Sequence, residues 1–244
     1  MKHRIHKWAK HGLDWVYPRE CVFCSTSLRT LKDYFYLCTA CEDSIRFIKE
    51  SHCSTCGAPF DGAVEGIRQC AQCVELKPIF SEGMSLFKLR DAGQALVHAL
   101  KYRRGNYLVQ DLKRLVQSVP EFCDFLAGAC LIPVPLHARK QASRGFNQSE
   151  VLATSWAGLF PNTLVDNTLV RIRVTASQTG LSRDERFANV KNAFAIDRKA
   201  LLNPSCRYIL IDDVFTTGAT LNACARVLHV AGAERIGVAT LSHG

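Results

Sequence analysis

The sequence predicts an α/β fold, a mostly parallel sheet with helices packed on it, preceded by a small cysteine-rich region. Three observations predict it. From about Ile79 onward, apolar strand-like runs alternate with stretches of helical periodicity, the pattern of a parallel sheet built from strand–helix units. Near the carboxyl end, RYILIDDVFTTGAT (residues 207–220) reads as strand, loop and helix start, with two adjacent aspartates where the apolar run stops. Ahead of both, eight of the twelve cysteines crowd into residues 21–73. The division expected from these changes of pattern is an amphipathic helix over 1–16, a cysteine-stapled unit over 17–77 and the sheet domain over 78–244.

Composition sets the outer limits. A chain of 244 residues with 48% apolar and 22% charged residues is long enough for one or two domains with a sizeable core. FLAGACLIPVPL from Phe125, the longest apolar run, is too short for a membrane span and carries two prolines. The amino-terminal stretch is basic but has no apolar core of a secretory signal, so a cytoplasmic protein without a membrane partner is expected. The net charge of +9 suits nucleic acid, phosphorylated ligands or acidic partners, and equally an ordinary basic surface.

In the first sixteen residues, Ile5, Trp8, Gly12, Trp15 and Val16 fall on one helical face ringed by lysine, arginine and histidine. Such a helix either docks on its own protein through its tryptophans or offers a basic, aromatic contact to nucleic acid.

The cysteines follow as four C-x-x-C pairs: Cys21/Cys24, Cys38/Cys41, Cys53/Cys56 and Cys70/Cys73. Thirteen residues separate the first two pairs and thirteen the last two, so every cysteine of the first set recurs 32 positions later. This is an internal duplication. One C-x-x-C turn offers two thiolates to an ion, and a second turn completes a tetrahedral site. Two structural zinc ions are therefore expected, both in closed sites with no position left for water. Disulfides do not suit a chain without an export signal, and one redox pair would not need four copies in register. Iron also suits four thiolates. Consecutive pairing makes two tandem ribbons; a cross-braced pairing uses the same residues. His52, beside Cys53, is a competing ligand by chemistry but is expected to be an exposed loop residue, and Cys123, Cys130, Cys206 and Cys224 small buried hydrophobes.

In the sheet domain AGQALVHALKYR reads as a helix with Leu96, Val97 and Leu100 on one face, and DLKRLVQSV as another, stopped by Pro120. ACLIPVPL is a short buried strand running into a proline-marked loop, and QSEVLATSWAGLF a helix. RYILI is a strand, TLNACARVLHVAG a helix closed by Gly232, and RIGVATL a last strand. Ligands of open α/β sheets bind beyond the carboxyl ends of the strands, where the loop after Asp213 lies. Thr216, Thr217, Gly218 and Thr220 let backbone N–H groups and hydroxyls converge on an anion, with a helix N-terminus behind them. Asp212 and Asp213 cannot read the same anion, because like charges repel; as acceptors they suit vicinal sugar hydroxyls, with a divalent cation nearby. Phosphate plus diol amounts to a ribose 5-phosphate unit. No P-loop and no G-x-G-x-x-G sequence is present.

IDDVFTTGAT resembles the phosphoribosyl-pyrophosphate (PRPP) motif of type I phosphoribosyltransferases. PVPLHARKQASRGFNQSEVLA, SQTGLSRDERFANVKNAF, ALKYRRG and the doubled cysteine unit resemble one branch, the ComF or GntX-like family. The resemblance spans nearly the whole chain. It implies a type I phosphoribosyltransferase-like sheet behind a double zinc ribbon. It also implies a cytoplasmic role in natural transformation and the use of incoming single-stranded DNA, beside a helicase-like competence protein. Asp212 and Asp213 would hold the ribose hydroxyls, Thr216, Thr217, Gly218, Ala219 and Thr220 the 5-phosphate, and Mg2+ would accompany PRPP. Arg139, Lys140 or Arg144 would face pyrophosphate. Ser177–Asn189 would be a flexible flap with Arg183 and Arg186 neutralising the leaving pyrophosphate, Arg186 counting with the two aspartates as catalytic if a transfer occurs. Whether one does is left open by the resemblance. RGFNQ, Arg144–Gln148, reads either as base-stacking and edge-reading chemistry or as a helix start with Asn147 as N-cap and Phe146 in the core.

Overall fold

The computed structural model describes residues 19–28, 34–49, 51–60, 62, 66, 68–102, 105–175, 180–198 and 201–244. The expected helix over 1–16 lies outside them, as do residues 177–179 of the expected flap.

Uninterrupted apolar runs make the sheet. Strands β3 (Glu82–Lys88), β4 (Cys130–Pro133), β5 (Leu164–Val165), β8 (Arg207–Phe215) and β9 (Arg235–His243) form five strands in the order β3-β9-β8-β4-β5, every neighbouring pair parallel. Parallel strands covered on both faces must be apolar at successive positions, and Ile209, Leu210 and Ile211 are all fully buried. Side chains alternate between faces. Ile209 and Ile211 join one core cluster, with Leu96, Leu112 and Trp156 from helices α3 (Asp91–Tyr102), α4 (Val109–Gln117) and α7 (Gln148–Ala157). Tyr208 and Leu210 join the other, with Leu221, Ala225 and Leu228 of α9 (Ala219–Val230).

The cysteine unit is built into both clusters. Its regular elements are the antiparallel pair β1 (Arg19–Glu20) and β2 (Ser27–Leu28) and the short helices α1 (Thr39–Glu42) and α2 (Ala71–Leu76). Cys21, Tyr34, Leu37, Cys41 and Ile45 pack into the first cluster; Cys53, Cys56 and Cys73 pack into the second. The second ribbon approaches β3 so closely that a Cβ on Gly57 would lie 2.6 Å from the Ser85 amide nitrogen, at a φ of +74° that also favours glycine. The Gly83 N–H donates to the Ser54 carbonyl across the same seam, at 3.0 Å.

A buried carboxylate ties down the first ribbon. Asp111 of α4 is fully buried and accepts hydrogen bonds from the backbone N–H groups of Phe35 and Tyr36, both at 2.7 Å. Replacing it by alanine strands two donors, so Asp111→Ala is expected to cost about 2–4 kcal/mol, read as an earlier unfolding midpoint in urea. An unchanged midpoint would show that the two amides find water instead.

Several local expectations are corrected. Pro120 does not only stop α4: it occupies the first turn of a further helix, α5 (Pro120–Leu126), where its missing N–H costs nothing. The residues after Leu136, expected as loop, form α6 (Ala138–Arg144) closed by Gly145. The strand read as RYILI continues through both aspartates to Phe215, because its pairing with β9 runs on to His243. Within the expected flap, residues 183–189 belong to a helix, α8 (Arg183–Val190), held by a capping box between Ser182 and Glu185. An antiparallel pair, β6 (Leu169–Arg171) with β7 (Phe194–Ile196), flanks it. His52 is half-buried, not exposed, and Cys123, Cys130 and Cys206 are half-buried, with Cys224 alone of the four fully enclosed.

Candidate functional site

The eight paired cysteines come together as two groups, Cys21, Cys24, Cys38 and Cys41, and Cys53, Cys56, Cys70 and Cys73, with the sulfurs of each group within 4.8 Å of one another. This decides for consecutive pairing over cross-bracing. Four convergent thiolates with no carboxylate or histidine among them form a closed structural zinc site. The sites differ in setting: Cys24 is exposed, whereas Cys53, Cys56 and Cys73 are buried.

Beyond the carboxyl ends of β3, β4 and β8 lies a cleft of about 440 Å3. Its floor is the end of β8. Asp213 is nearly buried and pairs with Lys101 of α3 at 3.1 Å. Asp212 accepts hydrogen bonds at Oδ1 from the Ser149 hydroxyl, 3.0 Å, and from the Asp213 N–H, 2.9 Å. Burial, and then the neighbouring Asp213 charge, raise the Asp212 pKa far above the usual carboxylate range; the Asp213 N–H, Lys101 and Ser149 oppose the shift without cancelling it. The buried Oδ2 of Asp213 has no hydrogen-bond partner among the described residues. A hydroxyl pair or a hydrated cation is the chemistry that would satisfy such acceptors.

The loop beside them turns at Gly218, whose φ of +73° precedes the first residue of α9. Its side chains are braced from outside. The Arg186 guanidinium donates to Thr216 Oγ1 at 2.9 Å and to the Leu181 carbonyl at 3.0 Å, and Gln72 of α2 donates to the Thr216 carbonyl at 3.1 Å. The backbone N–H groups of Thr216, Thr217 and Gly218 donate to no acceptor among the described residues. They stand at the positive end of α9, as an anion requires.

Four cations also line the cleft: Lys140 and Arg144 of α6, Arg171 at the end of β6, and Arg186, which reaches the loop itself. Burial, then the charges of Arg171 and Arg144, lower the Lys140 pKa, which marks a crowd of positive charge without full compensation. The expected residues divide here. Asp212, Asp213, Thr216, Thr217, Gly218, Ala219, Thr220, Lys140, Arg144 and Arg186 all border the cleft. Arg139 is exposed outside it, and Arg183 pairs with Glu75 at 2.7 Å. Asn147 caps α7 by accepting from the Ser149 N–H at 3.1 Å, and Phe146 packs on the core, so RGFNQ is a helix start whose Arg144 and Gln148 alone face the cleft. Lys101, Ser149 and Arg171 were not expected. Lys101 lies inside ALKYRRG and Ser149 directly follows RGFNQ, so a helical projection of those motifs would have pointed to both; Arg171 follows an apolar pair with no local signal.

Comparison with known proteins bears on the whole chain. Residues 12–74 match the family described as the double zinc ribbon domain. The DNA utilization protein YhgH of Salmonella typhimurium is 30% identical over 225 residues, which cover 91% of this chain and 95% of that protein. Competence protein F of Haemophilus influenzae is 28% identical over 225 residues, 89% of this chain and 94% of the relative. Competence protein ComFC of Streptococcus pneumoniae is 24% identical over 237 residues, 89% and 96% respectively. No helix among the described residues is long and apolar enough to cross a membrane.

Proposed function

The chain belongs to the ComF family of competence and DNA-utilization proteins, and on that premise we propose that it handles single-stranded DNA during its uptake and use, with a ribose 5-phosphate pocket, for PRPP or a close relative, built into the same fold. A cytoplasmic setting and a helicase-like competence protein as partner belong to this proposal. One observation carries the pocket: the unfilled acceptor of Asp213 and the undonated amides of residues 216–218 stand side by side at the end of one strand. The amides and the helix N-terminus take the 5-phosphate, and Asp212 and Asp213 take the diol. Mg2+ enters with the diphosphate, which supplies most of its ligands.

Calorimetry with PRPP and Mg2+ tests this reading. The wild-type protein is expected to bind, and Asp212→Asn with Asp213→Asn to weaken binding at least about ten-fold, since two charge-assisted acceptors are lost. Absence of heat from folded, zinc-loaded protein would remove the pocket. The DNA half is read separately, as an oligonucleotide shift that fades steeply with added salt.

The cations Lys140, Arg144, Arg171 and Arg186, which line the same cleft as the acids, favour a second reading, an active phosphoribosyltransferase. A nitrogen nucleophile would form a bond to the anomeric carbon while the bond to pyrophosphate breaks, its electron pair leaving on a group those cations neutralise. Acceptor-dependent pyrophosphate release supports it; silence across bases and amines, with PRPP bound, sinks it.

A further inference from the structure

The cleft continues past the acids along α3, and there its lining turns aromatic. Tyr102 is 63% exposed, so most of its ring is uncovered. The Arg144 guanidinium lies 5.6 Å from the Tyr102 ring centre, and the His98 ring stands 4.9 Å from it. Gln94 and His98 border this cleft and also a second, more open one that reaches Phe23. Phe23 sits inside the Cys21–Cys24 turn and is 46% exposed. The ordinary place for such a ring is a core. Here a zinc-tied turn holds it in solvent, facing the same helix as Tyr102.

We propose that Tyr102, His98 and Phe23 form a stacking platform for successive bases of a single DNA strand, running from the first zinc ribbon to the mouth of the ribose-phosphate pocket. The proposal rests on the DNA-handling reading above and gives it a surface. Exposed aromatic faces with a flanking guanidinium are the chemistry by which bases are held without sequence preference. Asp91 also borders the second cleft, so the sugar-phosphate backbone runs on the Arg144 side, where charge attracts it. The first ribbon thereby gains a task beyond folding: its zinc fixes the Phe23 turn, and a pre-fixed ring loses little entropy when a base settles on it.

The probe is a short oligonucleotide carrying 2-aminopurine, whose fluorescence drops when the base stacks. Wild-type protein is expected to quench it. Tyr102→Ala and Phe23→Ala are each expected to weaken binding about ten-fold and relieve the quench, and Tyr102→Phe to keep both. PRPP binding to Phe23→Ala is expected to stay at the wild-type level, because Phe23 lies outside the ribose-phosphate cleft. Tyr102→Ala with Phe23→Ala binding and quenching like wild type would overturn the platform. So would a platform that takes free nucleoside monophosphates in preference to a strand. If the wild-type protein holds no oligonucleotide, the DNA-handling reading fails first, and PRPP calorimetry still reports on the pocket separately.

Discussion

Removing the metal from the second ribbon, by Cys56→Ser together with Cys73→Ser, is expected to abolish PRPP binding and to unfold much of the sheet domain. The same pair of changes at the first ribbon, Cys24→Ser with Cys38→Ser, is expected to release one zinc yet leave the pocket in place. The difference follows from what each site touches. Cys53, Cys56 and Cys73 share a core cluster with Phe80, Phe215, Ala219 and Leu221, the residues that flank the 216–218 loop. Gln72, between two ligands of this site in sequence, holds the Thr216 carbonyl, and the Ile79 N–H donates to the buried Asn222 of α9 at 2.9 Å. A structural four-thiolate zinc contributes on the order of 10–16 kcal/mol in small peptides, against a net stability of about 5–15 kcal/mol for a whole domain. No remaining contact offsets such a loss when the ligands share their core with the residues that shape the 216–218 loop. The first site also has two ligands in a core cluster, Cys21 and Cys41, but that cluster lies away from the 216–218 loop, Cys24 is exposed, and the first ribbon touches neither Thr216 nor α9 in any hydrogen bond found among the described residues. Zinc per chain, thermal unfolding and PRPP calorimetry together read the outcome. A second-ribbon variant that has lost one zinc but melts and binds like wild type would end this account.

That coupling was invisible in the sequence, and the reason is physical. The spacing of the C-x-x-C pairs reports local geometry, so the two metal sites were legible, down to the 32-residue repeat. Which surface each ribbon covers depends on contacts such as Gly57 against Ser85, made between segments with no shared periodicity. The β8 loop and α9 were legible because strand, turn and helix lie consecutively in the chain. The end of β8 was not, because the pairing that carries it through Asp212 and Asp213 comes from β9. Short elements fared worst. The two residues of β5 and the three each of β6 and β7 are too few to show alternation, and they are strands only by virtue of their partners. For the same reason Arg171, placed at the cleft by the β6–β7 pair, carried no signal of its own. RGFNQ shows the opposite limit: one set of residues fits stacking chemistry and a helix cap equally well until the fold puts Phe146 inside.

Asp212→Asn is expected to make the protein more stable and less able to bind at once. The Asp212 carboxyl holds its proton more tightly in the folded chain than in the unfolded one, because burial and Asp213 both penalise its charge. For an acid with a raised pKa the folded state binds the extra proton. Stability therefore falls as pH rises from the ordinary carboxylate value toward the raised one, and the full penalty is present above it. Asparagine imitates the protonated acid and can still accept from Ser149 and from the Asp213 N–H at its oxygen, so it removes the penalty while leaving the local hydrogen bonds and the Asp213–Lys101 pair intact. The gain at pH 8 is expected at about 2 kcal/mol, discounted from the full shift because the pair relaxes around Lys101, or roughly 4–8 °C in melting temperature for a chain of this size. It should shrink steadily toward pH 4, where the wild-type acid is already protonated in the folded state. PRPP affinity should meanwhile drop about ten-fold, because the amide presents a donor where the diol needs an acceptor. A site that costs the empty protein stability in order to keep two acids together is one kept for its ligand. A variant that melts lower than wild type at pH 8, or whose advantage does not change with pH, would mean that the Asp212 charge is structurally paired in the resting protein, and that the acids are there for the fold.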